Sequence, residues 1–231
     1  MDFDTAPPIP VADYRHFQTI IPGIDALYTS IGAILNSQLP ANADILIIGA
    51  GGGREIETLA ASPALFRLVG VDPSEKMLDL ARSYIPADAE QRVRLIQGYV
   101  EDLPEDLTFS AATAVLVMHF LPDDGSKARF LDAIRARLQP GALYIHVDVS
   151  IESDLEAETI GSVINFHGAS IGFPADIASR PAEFAQAMRR ADEHFVVSPT
   201  RNRALLEQSG FEIISPFFRS LWFTGWWARA V

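Results

Sequence analysis

The chain has 231 residues, 48% of them hydrophobic and 21% charged, and it contains no cysteine. These values predict one soluble globular domain and exclude disulfides, thiolate nucleophiles and cysteine-bound metals. Its formal net charge is −12, with a sequence pI of about 4.7. Such a surface repels anionic polymers and lipids, so we expect no direct nucleic-acid partner and no membrane association. The opening MDFDTAPPIP does not resemble a signal peptide, and we expect a cytoplasmic protein.

Helical periodicity begins before the first strand-like segment. An apolar stripe over residues 24–35 follows Pro22 and Gly23 and predicts an introductory helix that covers the sheet. Later stripes predict helices in SEKMLDLARSYI and in SKARFLDAIRARLQPG, the second ended by Pro140 and Gly141.

Five strand-like apolar runs alternate with these helices, which predicts a parallel sheet covered on both faces. The runs are ILIIGA (45–50), LFRLVGVD (65–72), VRLIQGYV (93–100), ATAVLVMHFL (112–121) and ALYIHVDV (142–149).

The pattern changes after the fifth strand. Residues 151–195 are too many for a simple connection and are interpreted as an inserted helical cap. A helix, NRALLEQSG, then precedes two aromatic-rich strands that lack a crossover helix and should be antiparallel. We therefore predict a single domain, 1–231, with an N-terminal helical cover (1–40), a core (41–150), the cap, and a last helix with a terminal hairpin (196–231).

The segment DILIIGAGGGREIETLA (44–60) places a glycine-rich turn between a buried strand and a helix. Without Cβ atoms, such a turn lets a ligand approach the main chain near the helix N-terminus. The dinucleotide fingerprint fails because Arg54 stands where its third glycine should be. Gly49, Gly51 and Gly53 instead form G-x-G-x-G, which resembles motif I of class I S-adenosylmethionine-dependent methyltransferases.

Further segments follow in the order of that family. In GVDPSEKML, Asp72 ends a strand beside the glycine turn, where it can bind both ribose hydroxyls; a helix N-cap is the alternative role. QGYVEDLP, VMHFLP, LQPGALYIHVD and LLEQSGFEII resemble the later motifs. The resemblance spans residues 20–231. It implies a Rossmann-like α/β fold, a seven-stranded mixed sheet with a C-terminal antiparallel hairpin, and S-adenosyl-L-methionine as cofactor.

The sequence departs from the family at two acidic positions. Ile47 stands where an acid commonly precedes the first glycine, and Tyr99 replaces the aspartate that usually meets the adenine amino group. Main-chain contacts do not depend on side-chain identity and can survive both changes. The cofactor-binding residues implied by the resemblance are Gly49, Ala50, Gly51, Gly53, Asp72, Pro73, Met77, Tyr99, Val100, Glu101 and Met118.

Three flanking segments resemble the carboxy-S-adenosylmethionine synthase group, enzymes of the wobble-uridine tRNA pathway. They are FQTIIPGIDALYTSIGAI, INFHGASIGF and GFEIISPFFRSLWFTGWWARA. That group binds the extra carboxylate of its cofactor with an arginine shortly before the last helix, a neighbourhood that here contains Arg189 and Arg190. Its motif I differs from GAGGG, so ordinary methyl transfer is favoured.

Methyl transfer from a sulfonium is an in-line displacement, for which a base is useful when the acceptor is a hydroxyl or amine. His119, at the end of the fourth strand, is the candidate base; a half-buried structural histidine is the alternative. Tyr14, Phe17, His167 and Trp222 are candidates for acceptor binding, with core packing or a dimer contact as the alternative for the aromatic residues. No two histidines have metal-ligand spacing, and no metal is expected. Asp123 and Asp124 are interpreted as a solvated loop.

The sequence thus predicts a methyltransferase acting on a small-molecule acceptor, with a homodimer as a further expectation. Carboxy-S-adenosylmethionine synthesis is the enzymatic alternative. A second kind of alternative is a regulator that binds the cofactor without turnover, because the family's acids are missing at positions 47 and 99. An oxidoreductase is the third alternative.

Overall fold

A computed structural model describes residues 4–5, 10–172 and 195–231 of the chain. One sheet organises these residues, with the strand order β3-β2-β1-β4-β5-β7-β6. Strands β1 to β5 are parallel, whereas β7 is antiparallel to both β5 and β6. The seven-stranded mixed sheet and its terminal antiparallel hairpin are therefore confirmed. The strands are β1 (Asp44–Ile48), β2 (Arg67–Asp72), β3 (Val93–Gln97), β4 (Phe109–Val115), β5 (Leu138–Val149), β6 (Phe211–Ser220) and β7 (Phe223–Ala230).

Helices pack on both faces of the sheet and divide the apolar core into two layers. One layer joins the predicted stripe of α2 to α3 and the inward side chains of β1, including Ile45 and Ile47. The other joins Leu131 and Ile134 of α5 to Leu205 of α7. The helices are α1 (Tyr14–Gln18), α2 (Ile24–Gln38), α3 (Arg54–Ala60), α4 (Glu75–Arg82), α5 (Ser126–Ala136), α6 (Asp154–Ser170) and α7 (Pro199–Gln208).

The prediction that Pro140 and Gly141 end a helix was wrong. Helix α5 ends at Ala136, and both residues lie within β5. Leu138 already pairs with Phe109 of β4, after which the register shifts. Gly141 has a φ of +78° in this irregular part of the strand, a conformation that glycine adopts without strain.

The fourth strand is shorter at its carboxyl end than predicted. It ends at Val115, because Leu116 takes a left-handed conformation with a φ of +61° and turns the chain. Residues Met118–Phe120 then form one turn of 3₁₀ helix. His119 consequently lies in a connection that follows the sheet edge, outside the strand.

Part of the predicted cap forms α6. The remainder of the cap up to residue 194, with Arg189 and Arg190, lies outside the described residues. Within the described ranges, no helix has the length and apolar character needed to cross a membrane.

Candidate functional site

A cavity of about 410 Å³ opens where the parallel strands β1 to β4 end. In open α/β sheets, ligands bind at this carboxyl edge, where the chain leaves the strands in loops. Many of the residues predicted from the sequence line this cavity. They are Gly49, Gly51, Asp72, Pro73, Met77, Tyr99, Val100, Glu101 and, from α1, Tyr14.

The glycine turn and the end of β2 meet at one side of the cavity. The amide of Gly51 donates to Asp72 Oδ2 at 2.9 Å. A Cβ atom at position 51 would lie 2.7 Å from that oxygen and 2.8 Å from Met77 Cβ. Only glycine therefore lets the carboxylate and the turn approach so closely.

Asp72 is held in place by its neighbours. Its Oδ1 accepts from the amide of Ser74 at 2.9 Å. Ser74 is the N-cap of α4, its hydroxyl accepting from the amide of Met77 at 3.2 Å, so the capping role that competed for Asp72 belongs to Ser74. Burial raises the pKa of Asp72, although the two amide donors oppose that rise. Each oxygen keeps a lone pair for a ligand hydroxyl.

The loop after β3 forms a second wall of the cavity. The amide of Tyr99 donates to Asp102 Oδ2 at 2.8 Å, and Val100 is buried. Tyr99 itself is 62% exposed. Arg129 and Phe130 of α5 line the same cavity, which therefore combines main-chain groups with apolar and charged side chains.

Buried polar groups from α1, α2 and α3 also line the cavity. Glu55 is 4% exposed, and burial raises its pKa to about 8. The charge of Glu55 contributes to raising the pKa of both Tyr14 and Tyr28. Burial, followed by the charges of Asp72 and Glu55, raises the pKa of Tyr14 to about 12.

Four candidates for cofactor binding or catalysis do not line this cavity. Ala50 and Met118 are buried in the two core layers. Gly53 is the N-cap of α3 and packs against Ala81. The fourth is His119, described below. Their assigned roles stay predictions.

Three candidates for acceptor binding also lie outside the lining of the cavity. Trp222 is buried in the layer beneath α2, and Phe17 packs against that layer. His167 lies on α6 with Nε2 at 3.4 Å from the carbonyl oxygen of Thr19. Their roles in substrate binding likewise stay predictions.

His119 is buried beside Asp148, its Nδ1 2.6 Å from Asp148 Oδ1. Burial alone would raise the pKa of Asp148, but the interactions with His119, His146 and Lys127 together outweigh this effect and lower the pKa. Such a carboxylate fixes the orientation and tautomer of a histidine. The general-base role of His119 stays a prediction.

The acidic pair after this histidine serves local structure. Asp123 accepts two hydrogen bonds from Arg201, both at 2.9 Å, and Asp124 accepts from the amide of Ser126 at the start of α5. The described parts of the chain contain no group of three or more side chains suited to hold a metal ion.

Several residues that line the cavity were not predicted from the sequence. For one of them, Glu55, the sequence pattern did indicate a functional position. Glu55 precedes Leu59 by four positions and shares its inward face on α3, where both are buried. An acid on an otherwise apolar stripe is unusual and points to a polar role. The other missed lining residues are Gln18, Tyr28, Ile48, Val71, Gly98, Val115, Leu116, Val117, Phe120, Leu121, Ser126, Arg129 and Phe130.

Residues 45–141, which contain the glycine turn and Asp72, match the family model described as a methyltransferase domain. Residues 45–141 therefore form a methyltransferase domain, and the seven-stranded sheet gives the described residues the Rossmann-like fold of class I methyltransferases. The cofactor of this domain is S-adenosylmethionine, as the resemblance implied.

One curated relative matches most of this chain. The carboxy-S-adenosyl-L-methionine synthase of Dichelobacter nodosus is 22% identical over 208 residues, which cover 89% of this chain and 83% of that enzyme.

Two solved structures share the fold. The 1,6-didemethyltoxoflavin-N1-methyltransferase of Burkholderia thailandensis has a TM-score of 0.62 and 17% identity, over 96% of this chain and 85% of its own. An O-methyltransferase family 2 protein of Planctomyces limnophilus has a TM-score of 0.60 and 15% identity, over 90% of this chain. The chain spans 61% of that second protein.

The described residues fit the cofactor. A turn with no room for a side chain at Gly51 adjoins a buried carboxylate, Asp72, whose oxygens have remaining lone pairs. A ribose offers two hydroxyl donors to such a carboxylate. The apolar surface of Met77 and Val100 lies in the same cavity and suits a purine ring.

Proposed function

We propose that this protein transfers a methyl group from S-adenosylmethionine to a small-molecule acceptor by in-line displacement. The observation that carries the proposal is the cavity at the carboxyl edge of the sheet, where the turn at Gly51 and the carboxylate of Asp72 lie in hydrogen-bond contact. A cavity of about 410 Å³ is of the size that holds small molecules.

The protein's own groups would mainly bind and orient. When bound, the cofactor supplies an electrophilic methyl group on a sulfonium. Asp72 would hold the ribose, while Met77 and Val100 would enclose the adenine. The ring of Tyr14 lies over Gly52, where a Cβ atom would be 2.7 Å from Tyr14 Cε1, and it would help to exclude water from the site. Holding the reactants in line and excluding water are the main requirements of this displacement.

Two considerations favour a small acceptor. The Burkholderia thailandensis enzyme was solved with 1,6-didemethyltoxoflavin, and the Planctomyces limnophilus protein with apigenin, both small molecules. The net charge of −12 disfavours polynucleotide acceptors. Incubation of the protein with methyl-labelled cofactor and a fractionated extract should place the label in the low-molecular-weight fraction; label confined to macromolecules would contradict this part of the proposal.

Cofactor binding is tested by thermal unfolding with S-adenosylmethionine, S-adenosylhomocysteine or NAD. A ligand at about a hundred times its Kd adds about 2.7 kcal/mol, or roughly 5–10 °C in Tm for a chain of this size. We expect that shift with both adenosyl ligands and none with NAD. Asp72→Asn should abolish it, whereas Asp79→Asn, which changes an exposed acid on α4, should preserve it. Stabilisation by NAD alone would contradict the proposal.

Carboxy-S-adenosylmethionine synthesis is the second candidate, favoured by the length of the match to the Dichelobacter nodosus synthase. It requires a carboxylated sulfonium in the cavity. Mass spectrometry of small molecules released from the purified, denatured protein separates the two functions. A carboxylated cofactor would support synthesis, and unmodified S-adenosylmethionine or S-adenosylhomocysteine would support methyl transfer.

A further inference from the structure

Glu55 combines burial with access to the cavity. It lies in the first turn of α3, directly after the glycine turn, and it lines the cavity although it is only 4% exposed. Its Oε1 accepts a hydrogen bond of 3.3 Å from the hydroxyl of Thr113, a fully buried residue of β4. This hydrogen bond holds the carboxyl group of Glu55 in the wall of the cavity.

The position of Thr113 places this carboxylate beside the missing motif I acid. Thr113 is the register partner of Ile47, and Ile47 belongs to the core layer beneath α2 and α3. Glu55 reaches Thr113 from α3, on that same face of the sheet. The carboxyl group of Glu55 thus lies next to the strand position where this chain has Ile47 in place of the acid that is common in the family.

No basic side chain neutralises Glu55 within the described part of the chain. The adjacent Arg54 donates instead to Gln18 Oε1 at 2.9 Å and to Asp25 Oδ1 at 2.7 Å. None of the ion pairs found among the described residues includes Glu55. Ionising a buried carboxyl group without a cation beside it is costly, and burial accordingly raises the pKa of Glu55 to about 8. A ligand ammonium beside Glu55 would favour the ionised form, so that binding releases the carboxyl proton.

The groups that face Glu55 from other elements are either acidic or neutral. Tyr14 of α1 and Tyr28 of α2 interact with its charge, and Asp72 of β2 is a second acid. Thr113 of β4 donates a hydrogen bond to Glu55. An ionised Glu55 beside Asp72 therefore favours a positive group, such as the ammonium of an α-amino acid, in this part of the cavity.

We propose that Glu55 binds the ammonium group of the amino-acid part of S-adenosylmethionine and so acts as a specificity residue for the intact cofactor. The inference rests on the proposed function. Asp72 and Glu55 lie on different sides of the glycine turn, on β2 and α3, and the cavity connects them. If the ribose binds to Asp72, the other end of an adenosyl amino acid can reach Glu55.

Isothermal titration calorimetry with two ligands tests the inference. S-adenosylhomocysteine carries the amino-acid part, and 5′-methylthioadenosine lacks it. We expect Glu55→Gln, which keeps an acceptor for Thr113, to weaken S-adenosylhomocysteine binding about 10- to 100-fold, the effect of one charge-assisted hydrogen bond. Binding of 5′-methylthioadenosine should change less than about twofold, which also shows that the variant is folded. Glu207→Gln, an exposed glutamate on α7, is the matched control and should leave both affinities unchanged.

The outcomes separate this inference from the proposed function. If Glu55→Gln binds S-adenosylhomocysteine as tightly as the wild type, or loses both ligands equally, the inference is overturned while cofactor binding stands. If the wild-type protein binds neither ligand, the proposed function fails, and the inference fails with it.

Discussion

At the scale of single residues, the site depends on the absence of a side chain at Gly51. Gly51 leaves space that Asp72 and Met77 fill on both sides of the turn. The amide of Gly51 and the carboxylate of Asp72 therefore come within hydrogen-bond distance. A methyl group at position 51 would displace the carboxylate of Asp72, which is proposed to bind the ribose.

Gly51→Ala should consequently impair binding and stability together. We expect at least a tenfold loss of affinity for S-adenosylhomocysteine, and a loss of about 1–3 kcal/mol in the free energy of unfolding from overpacking. Calorimetry and urea unfolding measure the two effects. Gly32→Ala adds a methyl group within α2, away from the cavity, where its nearest neighbour is Thr58 Cγ2 at 3.2 Å, and should leave the affinity unchanged. Wild-type affinity in Gly51→Ala would argue against this site.

Glu55 should make stability depend on pH. Burial raises its pKa from 4.5 to about 8, so between these values the folded state holds a proton that the unfolded state has released. The stability of the wild type relative to Glu55→Gln should therefore fall as pH rises from 5 to 8, by at most about 1.4 kcal/mol per pH unit, and level off above that. Urea unfolding at several pH values checks this trend. A constant difference would show that Glu55 is ionised throughout.

At the scale of elements, the connection between β4 and α5 is held by buried polar contacts. The ammonium of Lys127 donates to the carbonyl of Met118 at 2.7 Å, and Asp148 of β5 holds His119. These contacts fix the chain that follows the turn at Leu116, and Val117 and Phe120 of this connection line the cavity. The stability of the connection thus bears on the shape of the site.

Asp148→Asn should destabilise the protein by about 2–4 kcal/mol, because the change removes a buried charge that His119 and Lys127 both feel. Asp123→Asn removes an exposed acid from its pair with Arg201 and should cost less than about 1 kcal/mol. Urea denaturation of both variants at pH 7 provides the comparison. Equal losses of unfolding free energy in the two variants would show that the buried pair of His119 and Asp148 stabilises the protein no more than the exposed pair of Asp123 and Arg201.

At the scale of the whole molecule, α1 lies across the cavity from outside the sheet. Tyr14 contacts the glycine turn, Arg15 pairs with Glu57, and Gln18 accepts from Arg54. Polar contacts, one of them to the buried Gln18, therefore attach the short helix to α3. A five-residue helix with one buried residue opens more readily than a packed sheet.

Bound ligand should stabilise this cover. In hydrogen exchange followed by mass spectrometry, S-adenosylhomocysteine should slow exchange over residues 10–21 and 98–102. Peptides from the hairpin of β6 and β7 should change little, and Asp72→Asn at the same ligand concentration should show no protection. Protection spread equally over the hairpin would indicate binding at another place.

The sequence predicted the sheet well because strand and helix periods alternate clearly, and the resemblance supplied the antiparallel hairpin. It predicted that Gly51 and Asp72 would meet, since the carboxyl ends of parallel strands share one edge. It placed the start of β5 too late, because Leu138 pairs before the irregularity at Gly141. It also could not orient His119, since the left-handed turn at Leu116, unusual for leucine, decides which way the chain leaves β4.

The relation between Ile47 and Glu55 bears on how methyltransferase motifs are searched. In a position-by-position comparison with the family motif, Ile47 stands before the glycine turn where an acid is common. In three dimensions, a helical residue eight positions later carries a carboxylate to the neighbouring strand partner, Thr113. A motif search that requires an acid in the strand would give such a chain a low score. A search that also accepts an acid on the inward face of the following helix would find it.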